Sequence, residues 1–219
     1  MPGIGRLVPR AFCPPCRDLR VTKTKRPARA GLWRWLRRGA LTLAAVLVLC
    51  VGHAVLLQLT GNLHTVVAGE LYRSAQPSGE DIASQRERFG IRTILNLRGA
   101  SPGAPWYEGE RAAAEQLGIG HLDFAMSESL VLSRSEAEQL VTLMREAPKP
   151  LLIHCRAGSD RTGLAASLYM AAIAGADEEE AEAQLSFRFG HVPLPWLSRA
   201  WPMDESFEQL EHWLGFTAS

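Results

Sequence analysis

The chain has 219 residues with 24 Lys or Arg against 23 Asp or Glu, a length that fits one domain plus an appendage. Its net charge of +1 joins two unlike parts: residues 1–38 carry eleven basic and one acidic side chain, leaving 13 basic and 22 acidic in the remainder, a balance of −9. An acidic domain argues against nucleic acid as its substrate or partner.

Residues 1–38 read as a polar, Arg-rich, Pro-containing tail with little fixed structure. Cys13 and Cys16 form a lone C-x-x-C there, with no second ligand pair nearby to support metal binding. Residues 39–60 read as a transmembrane anchor. Ala40 to Leu59 holds no Asp, Glu, Lys or Arg, and about 20 apolar residues cross a bilayer as a helix. Trp33 and Trp35 among Arg34, Arg37 and Arg38 give a basic, aromatic membrane edge. The positive side stays in the cytoplasm, so the expectation is a single-pass protein with a cytoplasmic N-terminus and an extracytoplasmic (periplasmic) domain. A cleaved signal peptide fits less well, since the apolar run is long and no A-x-A site follows it.

Residues 61–68 read as a linker and 69–219 as the globular domain. Within it, Leu71 to Ser74 suggests a short edge strand, and Ser78 opens a helix that Gly90 ends. Ile91 to Leu97 reads as a strand, Pro105 to Leu117 as a helix stopped by Gly118, and Ile119 to Phe124 as a second strand. Ser133 and Glu136 are spaced as a capping box for a helix to Glu146. Pro150 to His154 reads as the central strand, followed by helices over Thr162–Ala174, Asp177–Arg188 and Asp204–Trp213. Trp196, Trp201 and Trp213 read as packing aromatics. Strands separated by crossover helices predict an α/β fold, a largely parallel central sheet flanked by helices and preceded by one transmembrane helix. Ligands in such sheets bind at the carboxyl ends of the strands.

The stretch LLIHCRAGSDRTG, Leu151 to Gly163, carries the chemistry. A strand, a tight loop and a helix start form an anion cradle, because the first N–H groups of a helix lack partners and its dipole is positive there. A cysteine thiolate in that field is a nucleophile. Arg161 can place a planar fork of donors on two phosphate oxygens.

H-C-x5-R-T resembles the signature of the cysteine-dependent protein tyrosine and dual-specificity phosphatase superfamily. GELYRSAQPS at Gly69 to Ser78 and TILNLRG at Thr93 to Gly99 are similar to a bacterial dual-specificity-like branch. The resemblance implies the same α/β architecture and a phosphomonoester hydrolase working through a phosphocysteine intermediate. Cys155 is then the nucleophile. The backbone of Arg156, Ala157, Gly158 and Ser159, with Arg161, stabilises the transferring phosphoryl group. Thr162 is expected to donate its hydroxyl to the Cys155 sulfur, and His154 to orient the loop. No metal or other cofactor is needed, because cradle and arginine do that work.

Two aspartates compete as the acid that protonates the leaving oxygen. Asp123 lies at the end of a strand, at the upstream distance typical of small dual-specificity phosphatases, and is favoured. Asp160, inside the loop, matches C-x-x-G-x-D-R-T of phosphoinositide phosphatases. Ser127 and Glu128 come third. Arg98 either reaches a second substrate anion or pairs with an acidic neighbour; Arg156 is expected at the pocket rim, and Tyr72 and Arg73 in structural roles. The expected substrate is a phosphorylated protein, with a phosphoinositide or other lipid phosphate as the alternative. A phosphate-binding module without turnover and a rhodanese-like sulfur transferase fit less well.

Overall fold

The computed structural model describes residues 29–195 and 197–216. The C-x-x-C segment, the tail before Arg29 and Trp196 lie outside them. The chain divides into two compact units, Met1–Leu47 and Val48–Ser219.

Helix α1 covers Arg29–Leu59, so ordered helix begins inside the segment expected as an unstructured tail. Its part from Trp33 to Leu59 is long and apolar enough to cross a membrane by length and composition. Its leucines and valines from Leu36 to Leu59 are exposed, except Leu57, which is buried. At about 1.5 Å per residue, it exceeds a hydrocarbon core of about 30 Å.

Residues 61–68 are part of the domain, which corrects the linker expectation. They hold strand β1, His64–Val67, antiparallel to β2, Leu71–Ser74. Asn62 turns the chain between α1 and β1 with φ 47°, a left-handed conformation that Asn tolerates. The other elements are α2 Gly79–Phe89, β3 Thr93–Asn96, α3 Pro105–Leu117, β4 Gly120–Asp123, α4 Arg134–Glu146, β5 Leu151–His154, α5 Asp160–Tyr169, α6 Glu178–Glu182 and α7 Trp201–Leu214. Sheet order is β1-β2-β5-β3-β4, parallel except at β1. So β2, expected at an edge, is internal, because β1 covers it.

Every residue of β2, β3 and β5 is buried, as expected for strands covered on both faces. Successive side chains alternate between the two faces. Leu71, Leu95 and Ile153 face a core with Leu140 and Met144 of α4, Leu164 of α5 and Phe207 of α7. Tyr72, Ile94 and Leu152 face the opposite layer, with Ile82 of α2 and Ala114 of α3.

Capping boxes start α2 (Ser78 with Asp81) and α4 (Ser133 with Glu136), and left-handed Gly90 and Gly118 end α2 and α3. The helix expected over Asp177–Arg188 is cut to the five residues of α6, with a 3₁₀ turn at Phe187–Phe189. Tertiary contacts override local propensity there: Phe187 stacks on His53, and Phe189 lies 3.9 Å from the Arg73 guanidinium.

Candidate active site

Only Cys155 to Ser159 separate β5 from α5. Each carbonyl from 156 to 159 is held from outside this loop. The Gln76 N–H donates to Arg156 O at 3.3 Å, and Asn62 Nδ2 to Ala157 O at 2.9 Å. Arg73 Nη2 donates to Gly158 O at 2.9 Å and Ser159 O at 3.3 Å. In a planar trans peptide the N–H points opposite to the C=O, so the following N–H groups turn the other way. Among the described residues, the N–H groups of Arg156 to Ser159 have no protein acceptor. With the orphan donors of the first turn of α5, they make a ring suited to a tetrahedral anion.

Two residues fix this geometry. Gly158 has φ +73°, and a Cβ there would stand 2.7 Å from Ala75 N, so a side chain cannot enter. Arg73 is fully buried, and its Nη1 also donates to Gln184 O at 2.8 Å. Burial lowers its pKa to about 9, against the attraction of Cys155 and Asp160. The structural role expected for Arg73 is therefore that of the loop's principal brace.

Behind the loop lies a buried carboxylate that the sequence reading did not single out. Glu110 Oε1 accepts from His121 Nε2 at 2.7 Å and from His154 Nε2 at 3.1 Å, and Gln76 donates to Oε2. Burial opposes its charge, but the bonds from His121, His154 and Gln76 prevail and hold its pKa at about 2. His154 is thus oriented by Glu110. Gln76 Oε1 in turn accepts from Arg98 Nη1 at 2.7 Å, and Arg98 stacks 3.4 Å from the Trp106 ring centroid. Arg98 makes no ion pair among the described residues. Burial lowers its pKa, followed by repulsion from Arg161 and Arg156 and opposed by Cys155. Arg98 thus feels two other guanidinium groups and the Cys155 sulfur, and Cys155 is 3% exposed.

Arg161 leans toward the loop after β4. Its Nη1 donates to Met126 O at 3.4 Å and its Nη2 to Glu128 Oε2 at 3.2 Å. Glu128 also pairs with Arg199 at 3.2 Å. Neither aspartate put forward as the acid occupies such a place. Asp123 accepts from Asn96 Nδ2 at 2.7 Å and Tyr107 Oη at 2.6 Å. In the sheet register Asn96 stands between Asp123 and His154, which sets Asp123 two strands, about 10 Å, from the strand bearing Cys155. Asp160 accepts from His191 Nδ1 at 2.8 Å, and His191 Nε2 bonds Asp204 at 2.8 Å. Asp160 therefore braces the helix start. The carboxylate held beside Arg161 is Glu128, the third choice of the sequence reading, whose loop shows no periodicity to mark it.

Thr162 Oγ1 is buried with no hydrogen-bond partner, so the expected bond to the Cys155 sulfur is not made in this structure. An orphaned buried hydroxyl costs about 1–3 kcal/mol, which donation to an anion removes. Arg156 is exposed. Among the described residues no group of His, Cys, Asp and Glu is placed to hold a metal.

The family profile PTP-SAK, described as "Swiss Army Knife protein, DSP-PTPase phosphatase domain", matches residues 60–197. No curated protein matches the chain. Among solved structures, the fold is similar to TpbA of P. aeruginosa, with 22% identity, a TM-score of 0.53, and coverage of 71% of this chain and 92% of that one. It is also similar to the core catalytic domain of the PP-IP phosphatase SIW14 of S. cerevisiae, with 21% identity, a TM-score of 0.51, and coverage of 70% and 93%. At these identities the likeness concerns the fold.

Proposed function

The chain belongs to the PTP-SAK family of dual-specificity-type phosphatase domains, and from that premise we propose that it hydrolyses phosphomonoesters through a phosphocysteine intermediate. The observation that carries this reading is the loop whose four carbonyls are pulled outward, leaving a ring of free N–H groups around Cys155 and before Arg161.

The Cys155 thiolate attacks phosphorus, an S–P bond forms and the P–O bond to the leaving alcohol breaks. The loop N–H groups and Arg161 carry the equatorial oxygens, which supplies electrostatic stabilisation without reorganisation. For this, Arg161 exchanges Glu128 for the substrate. Glu128, released from Arg161 and taking up a proton from solvent, then protonates the leaving oxygen. Glu128, left as a carboxylate, takes a proton from water as that water attacks phosphorus; the S–P bond breaks, the thiolate returns and inorganic phosphate departs. Thr162 donates to the sulfur as it leaves. His154, fixed by Glu110, holds the strand end in register and is a positioning residue.

We also propose that α1 anchors this domain to a membrane with its N-terminus in the cytoplasm and the domain on the opposite side. Support comes from its length, its exposed apolar surface and the basic flank ahead of it.

The test is to quench the full-length protein during turnover of an aryl phosphate and measure intact mass. Covalent phosphate is expected on Cys155. Cys155→Ser is expected to lose both the adduct and about 10⁴-fold or more of the rate; retained turnover overturns the covalent mechanism.

A further inference from the structure

We propose that the mouth of this pocket rests on the bilayer that α1 enters, and that the substrate is a phospholipid whose headgroup ends in a phosphomonoester, drawn from that same membrane. This rests on the phosphatase reading above and narrows it.

The end of α1 and the catalytic loop share hydrogen bonds, with no tether between them. Asn62, three residues after the last residue of α1, donates to Ala157 O and to Phe189 O, both at 2.9 Å. Leu57 is buried beneath Gly190, where a Cβ would come within 3.1 Å of Leu57 Cδ1. His53 stacks on Phe187 at 4.9 Å and bonds its carbonyl oxygen at 3.0 Å. A cleft of about 140 Å³, walled by Ala54, Leu57, Phe187, Phe189 and Val192, runs from these last turns to Ala157 of the loop. If α1 enters the bilayer, the catalytic loop lies at the membrane surface.

The segment after α6 and the loop after β4 carry apolar side chains where water would otherwise meet them. Phe187, Val192, Leu194 and Leu197 are exposed along one segment, Leu197 at 83%. Leu130 is 67% exposed on the loop after β4. The two segments meet where Arg199 pairs with Glu128, the residue closing on Arg161. Single exposed leucines are ordinary, but a strip of them beside a binding site marks an interaction surface. Exposed Arg156, Arg188 and Arg199 are interleaved with it. Basic groups among apolar ones suit an anionic lipid surface. The strip starts at Phe187 and Val192, which share a cleft with Ala54 and Leu57 of α1, and the exposed apolar residues of α1 from Val48 to Leu59 begin there, which is why the occupant is a bilayer rather than a second protein.

The full chain is placed in phosphatidylcholine nanodiscs carrying a minor fraction of phosphatidic acid or, separately, of each monophosphorylated phosphatidylinositol. The same lipids are also offered in separate vesicles to protein in plain phosphatidylcholine discs. At least one lipid is expected to release phosphate about 10²-fold faster in the shared bilayer, the scale on which confinement raises effective concentration. It is also expected to outpace a phosphotyrosine peptide. The double substitution Leu194→Ser and Leu197→Ser is expected to slow shared-bilayer hydrolysis about tenfold, equivalent to about 1.4 kcal/mol, and to leave aryl phosphate turnover unchanged. If that variant loses aryl turnover through misfolding, the comparison of shared and separate bilayers on the unaltered chain decides. Equal rates in the two arrangements, no lipid hydrolysis, or a faster phosphopeptide overturn this inference while aryl turnover keeps the phosphatase reading. Absence of aryl turnover by the unaltered chain defeats that reading itself.

Discussion

The loop after β5 and the loop after β4 meet at Arg161, yet they are built in opposite ways. The first has every carbonyl from 156 to 159 fixed by donors on residues 62, 73 and 76, and a glycine that tolerates no side chain. The second reaches the site through Glu128, whose half-exposed carboxylate pairs with part-buried Arg161 and exposed Arg199, and a solvent-exposed pair such as that with Arg199 contributes about 0–1 kcal/mol. On the proposed mechanism, the group that holds phosphate in one geometry is braced before substrate arrives. The group that, on the same mechanism, surrenders a partner and moves a proton is the one open to solvent.

The sharpest way to break this contrast is to loosen the rigid loop. Arg73→Met removes the donors for two loop carbonyls and for Gln184, at a cost of about 3 kcal/mol in stability. Aryl phosphate turnover is expected to fall about 10²-fold or more, while urea unfolding reads the stability. A variant as active as the unaltered chain would show that the loop does not need its brace. Next in size is the mobile side. Glu128→Gln is expected to slow hydrolysis of alkyl phosphates about 10²-fold and barely affect aryl phosphates with good leaving groups. Asp123→Asn, made in parallel, is expected to change neither; the reverse pattern would return the acid role to Asp123.

The smallest effect concerns the brace at the helix start. Burial disfavours a charged His191, but hydrogen bonds to Asp160 and Asp204 outweigh it and raise its pKa to about 9. Its contribution to stability is fully present below about pH 6.5, the unfolded value. It is lost as pH rises through about 9. The melting temperature is expected to fall across that window, and His191→Gln to flatten the profile.

What could be read from the sequence follows from how local each signal is. Ser133 with Glu136, Gly90 and Gly118 act within a few residues, and the helices they bound are those expected. The Cys155 loop declared itself because cysteine, glycine, arginine and helix start lie within nine residues. β1 escaped because four residues of an edge strand, half exposed, have no pattern of their own. The braces of the loop escaped for a related reason: Asn62, Arg73 and Glu110 act over separations of 95, 85 and 44 residues. No spacing rule links them to Ala157, Gly158 or His154. Asp123 sat at a plausible distance along the chain, but a one-dimensional count cannot show that Asn96 stands between it and β5.

The bond from Asn62 to Ala157 has a practical corollary for anyone trimming this polypeptide. A soluble fragment begun at residue 69, where composition draws its border, discards Asn62 and the outermost strand together, leaving Ala157 O unclaimed and β2 bare to edge-to-edge aggregation. Truncation at Thr60 keeps both, and is the shortest version from which crystals or kinetics are worth seeking.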